Sequence, residues 1–285
     1  MIPIRDITNN KKEQNLLSNF SIRRLQEVLG GKDMVHELHR HNFYFILVLK
    51  RGFGNHEIDF KSYRNLDYSV FIIRPGQVHK LELQRDSIGF IIEFNTDFFD
   101  SKEKELNIFL QKASAKNFYL LEKANFCKIN IYLNAIFDEF SLQHDVYKEM
   151  IKSHLKIFFI ILIRLRNHSI EIPDIKTLYL QERLEDFLQL LEENILHKKQ
   201  VTQYATLLKL SNYQLNAITK KSLGKTASNL ICEQIILESK RYLLATSHQI
   251  YQIAYILGYE DVSYFIRFFK KHTGFSPEAF RQYSK

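Results

Sequence analysis

The last eighty residues of this 285-residue chain repeat themselves, and no other feature constrains the fold as strongly. Ala205, Leu215, Lys220-Lys221 and Gly224 recur as Ala254, Phe265, Lys270-Lys271 and Gly274, at separations of 49 or 50 residues. Such a repeat implies two copies of one helical unit. Each copy reads as a short helix, a tight turn and a second helix. In the first, Val201, Tyr204, Ala205 and Leu208 form one apolar stripe, Ser211 is a good N-cap, and residues 212–221 continue as a helix with Leu215 and Ile218 inward. In the second, Ile250, Ile253, Ala254 and Leu257 lead to a turn at Gly258, and a helix over about 262–272 offers Phe265, Phe268 and Phe269 to the core. A small Ala in each first helix permits the close crossing that a helix-turn-helix requires. Gly224, Gly258 and Gly274 are the expected helix stops, where a left-handed residue ends a helix.

The segment between the copies, 226–245, has no Gly or Pro. About twenty helical residues span about 30 Å, a length that can hold two helices roughly 34 Å apart, one turn of B-DNA. Charge points the same way. The chain carries a formal +8. Residues 1–196 balance 27 basic against 27 acidic side chains, whereas residues 197–285 hold 13 and 5, so the whole surplus belongs to the C-terminal third. A localised basic surplus is the footprint of a nucleic-acid-binding module, because Lys and Arg beside phosphates release condensed counterions.

Upstream the period changes twice. From about His36 to Phe94, short apolar runs (43–49, 70–73 and 88–94) are separated by the turn signals Arg51-Gly52-Phe53-Gly54-Asn55 and Arg74-Pro75-Gly76-Gln77, which suggests an antiparallel β-sandwich or barrel. From about 96 to 167, Leu133, Ile136, Phe137 and Phe140 recur at helical steps, as do Ile151, Leu155, Phe158, Phe159, Leu162 and Leu165. Pro173 breaks that pattern and marks a linker. The fold class is therefore α+β: an antiparallel β-domain with following helices over 1–166, a linker over 167–178, and an all-α domain over 179–285. The cores have ample material, since apolar residues are 45% of the chain and 38 residues are Phe or Tyr. Two cysteines exclude a disulfide scaffold and a zinc ribbon. The first thirty residues lack a signal-peptide pattern and the longest strongly apolar run, 157–163, is far below the roughly 20 residues of a membrane span. A cytoplasmic protein without membrane partners is expected.

The run from Ile253-Ala254 through Gly258-Tyr259, Ser263-Tyr264-Phe265, Phe269-Lys270-Lys271 and Gly274-Phe275-Ser276-Pro277 closely resembles the signature of the AraC-type (AraC/XylS) bacterial transcription regulators. The resemblance covers roughly residues 185–283. It implies a DNA-binding transcription regulator, activating rather than repressing, with double-stranded promoter DNA and RNA polymerase as partners. By position it assigns Val262, Ser263, Ile266 and Arg267 to the base-facing side of the second recognition helix, and Ser211, Tyr213, Gln214, Asn216 and Ala217 to the first. Lys220 and Lys270, near the helix ends, suit phosphate contacts that position without reading sequence. Ala217 stands where many members carry a longer polar residue, and Thr219 replaces a usual aromatic.

The stretch 39–45 alternates so that His39, His41, Phe43 and Phe45 would share one face of a single strand, and His79 follows the Pro75-Gly76 turn. Over residues 35–95 this is similar to the cupin-like sensor domain that precedes the DNA-binding unit in many such regulators. Three imidazoles could bind a divalent metal, but Phe45 fills the place where metal cupins put a carboxylate. The expectation is a pocket lined by His39, His41, Phe43, Phe45 and His79 for a small-molecule effector, with no metal, no cofactor and no enzymatic activity. The helices after the sheet, notably 158–162, carry more apolar surface than one stripe, and the resemblance implies that they make a homodimer interface. Two alternatives stay open: a metal-binding cupin enzyme with a DNA-binding appendage, and a regulator that needs no ligand.

Overall fold

The computed structural model describes residues 4–5, 19–95, 98–99, 104–167 and 175–283. The chain divides into two compact units, Ile2–Ser169 and Ile170–Lys285. The core of the expected linker, 168–174, lies outside the described residues, and its last four residues, 175–178, are helical.

The N-terminal unit is built on two five-stranded sheets. One has the order β1 (Ile4–Arg5), β3 (Met34–His41), β8 (Val78–Leu83), β5 (Gly54–Ile58), β6 (Lys61–Arg64). The other runs β10 (Phe118–Leu120), β7 (Ser69–Ile73), β4 (Tyr44–Arg51), β9 (Ile88–Phe94), β2 (Phe20–Arg24). All pairings are antiparallel except β1 with β3. The short helix α1 (Leu25–Leu29) follows β2 and buries Leu25 and Leu29 between the sheets.

The apolar runs of the sequence belong to the second sheet, and burial explains their continuity. On β4, Phe45, Leu47 and Leu49 point into the sandwich with Phe71, Ile73 and Ile91. Ile46 and Val48 point the other way, with Val70, Ile72 and Ile92, against helices α2 (Lys104–Ser114), α3 (Lys123–Leu142) and α4 (Tyr147–Asn167). A sheet covered on both faces loses polar alternation. The first sheet has one covered face, so β3, β5 and β8 alternate, and sequence periodicity alone passes over β5 and β6.

One expectation needs correction here. Residues 39–45 are not one strand: β3 ends at His41, the chain bends at Asn42-Phe43, and β4 begins at Tyr44. On α4, Phe158, Phe159 and Leu162 are fully buried in the core between sheet and helices, while Ile160, Ile161 and Ile163 are half-buried.

The C-terminal unit opens with α5 (Ile175–Asn194), which packs on both parts of the first repeat. That repeat comprises α6 (Val201–Leu207) and α7 (Asn212–Leu223); α8 (Ala227–Ala245) follows; the second comprises α9 (Ile250–Ile256) and α10 (Val262–Thr273), closed by α11 (Pro277–Tyr283). The repeat extends to the caps. Backbone N–H of Gln200 and Gln249 donate to the side chains of Gln203 and Gln252. Ser211 and Asp261 cap α7 and α10, Gly224 and Gly274 end them in the left-handed region, and Thr226 and Ser276 accept from the amides three residues on. Ala205 and Ala254 are buried at the crossings, and Thr219 is buried at the place that Phe269 holds in the second copy.

The two tight turns have the same hydrogen bonds and different residues. Leu210 N–H donates to Ala205 O at 2.9 Å and Tyr259 N–H to Ala254 O at 2.8 Å. The residue at positive φ is Lys209 in the first turn (56°) and Gly258 in the second (71°). Gly258 has a second reason: a Cβ there would lie 2.6 Å from Leu196 O, and Lys199 Nζ already donates to Gly258 O at 3.2 Å. Gly258→Ala should therefore cost about 1–3 kcal/mol through combined strain and backbone clash. The check is the urea midpoint of the full chain by circular dichroism, where an unchanged midpoint would contradict the close approach.

Candidate nucleic-acid interface and histidine cluster

In the second recognition helix, Phe265 and Phe269 are fully buried, which fixes the opposite face outward. Ser263, Tyr264, Arg267, Lys270 and Lys271 are exposed. The Arg267 side chain is 69% exposed, and its nearest counter-charge is Asp261 at 3.8 Å. A pair that open to water is worth little, so the guanidinium is available to a partner. Val262 and Ile266 are half-buried and pack on the core, so only their edges face solvent.

The first recognition helix presents Ser211, Tyr213, Gln214, Ala217, Lys220 and Lys221, with Tyr213 83% exposed. Leu215 and Ile218 are its buried anchors. Two of its polar side chains already have work to do. Gln214 Oε1 accepts from Ser211 N–H at 2.8 Å while Ser211 Oγ accepts from Gln214 N–H at 3.1 Å. Asn216, half-buried, donates to Asn212 O and accepts from Ala227 N–H, both at 3.0 Å. Asn216 thus caps α8, which departs from the expected role at a base edge. Tyr264, Lys271 and His272 are also exposed on α10; of these, only Lys271 had a signal in the doubled Lys-Lys pair at both helix ends.

In the N-terminal unit the expected pocket residues come together. His39, His41, Phe43, Phe45 and His79 are all buried between the sheets. The His41 and Phe43 ring centroids are 4.3 Å apart, and Phe45 stacks on His41 at 5.6 Å. His41 Nε2 and His79 Nε2 are 2.7 Å apart. A fourth histidine, His56 on β5, belongs to the group, with Nε2 2.9 Å from His79 Nδ1. The sequence hid it because its strand lay next to a turn signal and its pairing to β8 is not a local property.

Register explains the convergence. β3 pairs with β8 through His36↔Leu81 and then His39↔His79, so two residues on β3 oppose one on β8 between them. That bulge changes the phase of β3 by one residue and turns His39 and His41 inward beside His79. His56 pairs with Leu81 and so faces the same interior.

Burial sets the charge state. It pushes the His56 pKa down from 6.5 to about 3, with His39 and His41 adding repulsion, and it also drives His79 well below its ordinary value. Below pH 6.5 the unfolded chain protonates His56 while the folded chain does not, so stability falls as pH drops from 6.5 toward 3; above 6.5 both states are neutral and the term vanishes. One such residue removes up to about 1.4 kcal/mol per pH unit in that window. His56→Leu should flatten the acid limb of the stability curve, measured by thermal unfolding from pH 7 to 4; an unaltered slope would contradict a neutral buried imidazole.

Comparison with known proteins assigns the C-terminal helices to a family. Residues 204–283 match the family described as a helix-turn-helix domain. The bifunctional transcriptional activator/DNA repair enzyme AdaA of Bacillus subtilis is 34% identical over 95 residues, 33% of this chain and 45% of that protein. The transcriptional activator RhaS of Mannheimia succiniciproducens is 23% identical over 282 residues, 97% of each chain. The crystal structure of ToxT from Vibrio cholerae O395 aligns at 16% identity and a TM-score of 0.40, covering 92% of this chain and 96% of that one. Residues 204–283, which hold the paired helix-turn-helix units, belong to that helix-turn-helix family, and the chain resembles the AraC/XylS-type DNA-binding transcription regulators.

Proposed function

We propose that the chain is a one-component activator: α7 and α10 enter the major groove of promoter DNA, and a small effector held by the N-terminal unit changes promoter affinity. The observation that carries the DNA reading is the pairing of two outward recognition faces, Tyr213, Ala217 and Lys220 on one and Ser263, Arg267 and Lys270 on the other, within the part of the chain that holds the whole positive surplus. Ser263 and Arg267 are the base readers of the second helix, Tyr213 and Gln214 those of the first, and Lys220 and Lys270 the phosphate contacts. AdaA and RhaS are named as transcriptional activators, which supports activation and, with it, contact to RNA polymerase. The effector reading is supported by the buried His and Phe side chains that meet between the sheets. An effector shifts the balance of states only by its different affinity for each.

A homodimer is part of this reading. Phe158, Phe159 and Leu162 lie in the core, and the exposed apolar surface that supports pairing is on α3 and the turn after it: Ile131 is 66% and Val146 74% exposed, with Leu142 exposed between them in sequence. The cytoplasm is the compartment where a DNA regulator works, and among the described residues no helix is long and apolar enough to cross a membrane.

Genome-wide recovery of DNA bound by the full chain, at a stated near-physiological salt, tests the function. A few promoter fragments should be enriched, and Arg267→Ala should weaken binding to them by about 1–3 kcal/mol. Equal recovery by both proteins would overturn the reading of α10. Lys220→Ala and Lys270→Ala should behave differently. Each should weaken all sequences alike and reduce the slope of log affinity against log salt by about 1, measured by fluorescence anisotropy on promoter and unrelated duplexes.

A further inference from the structure

Four histidines from three neighbouring strands in one dry interior exceed what packing needs, since an apolar residue at each place would avoid burying ring nitrogens. We propose that His39, His41 and His79 form a buried, all-imidazole site for a divalent transition metal of the zinc class, with His56 as the positioning residue for His79. The metal is then the effector, and this regulatory half rests on the effector reading above; the site does not.

Convergence comes first. The ligand atoms of His39, His41 and His79 all lie within 4.8 Å of one another. A tetrahedral zinc with Zn–N bonds of about 2.0–2.1 Å sets its nitrogens about 3.3 Å apart, so small side-chain rotations suffice. Tautomers agree with this. His39 Nδ1 lies 2.7 Å from Glu37 O, and a carbonyl only accepts, so the proton is on Nδ1 and the lone pair on Nε2. His79 Nδ1 lies 2.9 Å from His56 Nε2, and in the tautomer with the proton on His79 Nδ1 the Nε2 lone pair is directed at His41. A ligating imidazole held by a hydrogen bond at its other nitrogen is how proteins orient metal ligands. In the metal-free protein the two Nε2 atoms share one proton at 2.7 Å. The metal takes that place, and the proton moves to Nδ1 of His41. All ligands stay neutral, which the dry surroundings also favour.

The donor set selects the ion. Among the described residues the group contains no carboxylate, and Phe45 stacks where an anion would add charge. Three neutral imidazoles suit zinc, nickel or copper and leave magnesium and calcium without the oxygens they require. They also leave a fourth coordination position for water or a small anion.

The test uses the full chain, purified without a metal column, treated with chelator and desalted. Zinc titrated by calorimetry should bind at one equivalent per chain and raise the melting temperature, while magnesium should not. His41→Asn should abolish the shift, His144→Ala on the surface should keep it, and His56→Asn should weaken affinity by about 10–100-fold at unchanged stoichiometry. Circular dichroism checks that each variant folds. Should the His41 variant unfold, cobalt decides in the native protein: an intense visible band of tetrahedral nitrogen ligation supports the site, and its absence overturns it. No zinc uptake at micromolar concentration, or full uptake by a folded His41→Asn protein, overturns it too. Promoter affinity with and without zinc separates the two halves. Zinc that binds without changing promoter affinity keeps the site and overturns the metal as effector. An organic metabolite that shifts promoter affinity in a protein deaf to zinc overturns the site and keeps the effector reading.

Discussion

Helix α8 is fastened at both ends by side chains from the units it joins, and the paired arrangement depends on it. At its start, the orphan N–H of Ala227 donates to Asn216 Oδ1 from α7. At its end, Arg281 from α11 donates to Leu243 O at 2.9 Å and to His248 O at 2.8 Å. Between these ends, Leu230, Ile231, Ile235 and Leu243 bury against the core that Leu215, Phe265 and Phe269 also enter. A helix this long, about 28 Å for nineteen residues, would be marginal alone; packing and satisfied termini hold it. Neither short helix pair could bury its apolar face without that brace.

The N-terminal unit solves a different problem. Its second sheet is covered twice, by the first sheet and by helices, so stability there is a matter of ordinary apolar burial. The first sheet carries the polar interior, and one bulge in β3 decides which residues occupy it. Without that extra residue, Leu38 would replace His39 opposite His79, and the imidazoles of His39 and His41 would point to solvent. Bulges are found where a strand must aim a side chain.

Legibility followed the range of the interactions. Helical period, Ser211, the three glycine stops and the 49–50 residue repeat are local, and each corresponds to an element or a cap in the folded chain. The gathering of His39, His41, Phe43, Phe45 and His79 was also legible, although through two strands and a bend rather than one strand. His56 was not, since only the pairing of β5 with β8 brings it near, across 23 residues. What Phe158, Phe159 and Leu162 pack against was likewise invisible, because an apolar helix face looks the same whether its partner is a sheet of its own chain or a second copy.

The two recognition helices also show that capping and reading draw on the same side chains. The first turn of a recognition helix is the part nearest the bases, and its backbone N–H groups need partners there. In α10 the short Asp261 carboxylate serves that need at 2.7 Å, and the longer side chains beyond it stay exposed. In α7 the need is met reciprocally by Ser211 and Gln214, and Asn216 is spent on α8. While it caps, Gln214 commits one of the two lone pairs of its Oε1 to Ser211 N–H, so in the proposed reading a bidentate contact to adenine competes with the cap, whereas its amide N–H groups can reach N7 or O6 of guanine. Tyr213 adds a large exposed surface without that code, suited to a thymine methyl or a phosphate. In the proposed reading, sequence discrimination therefore rests more on the second unit than on the first.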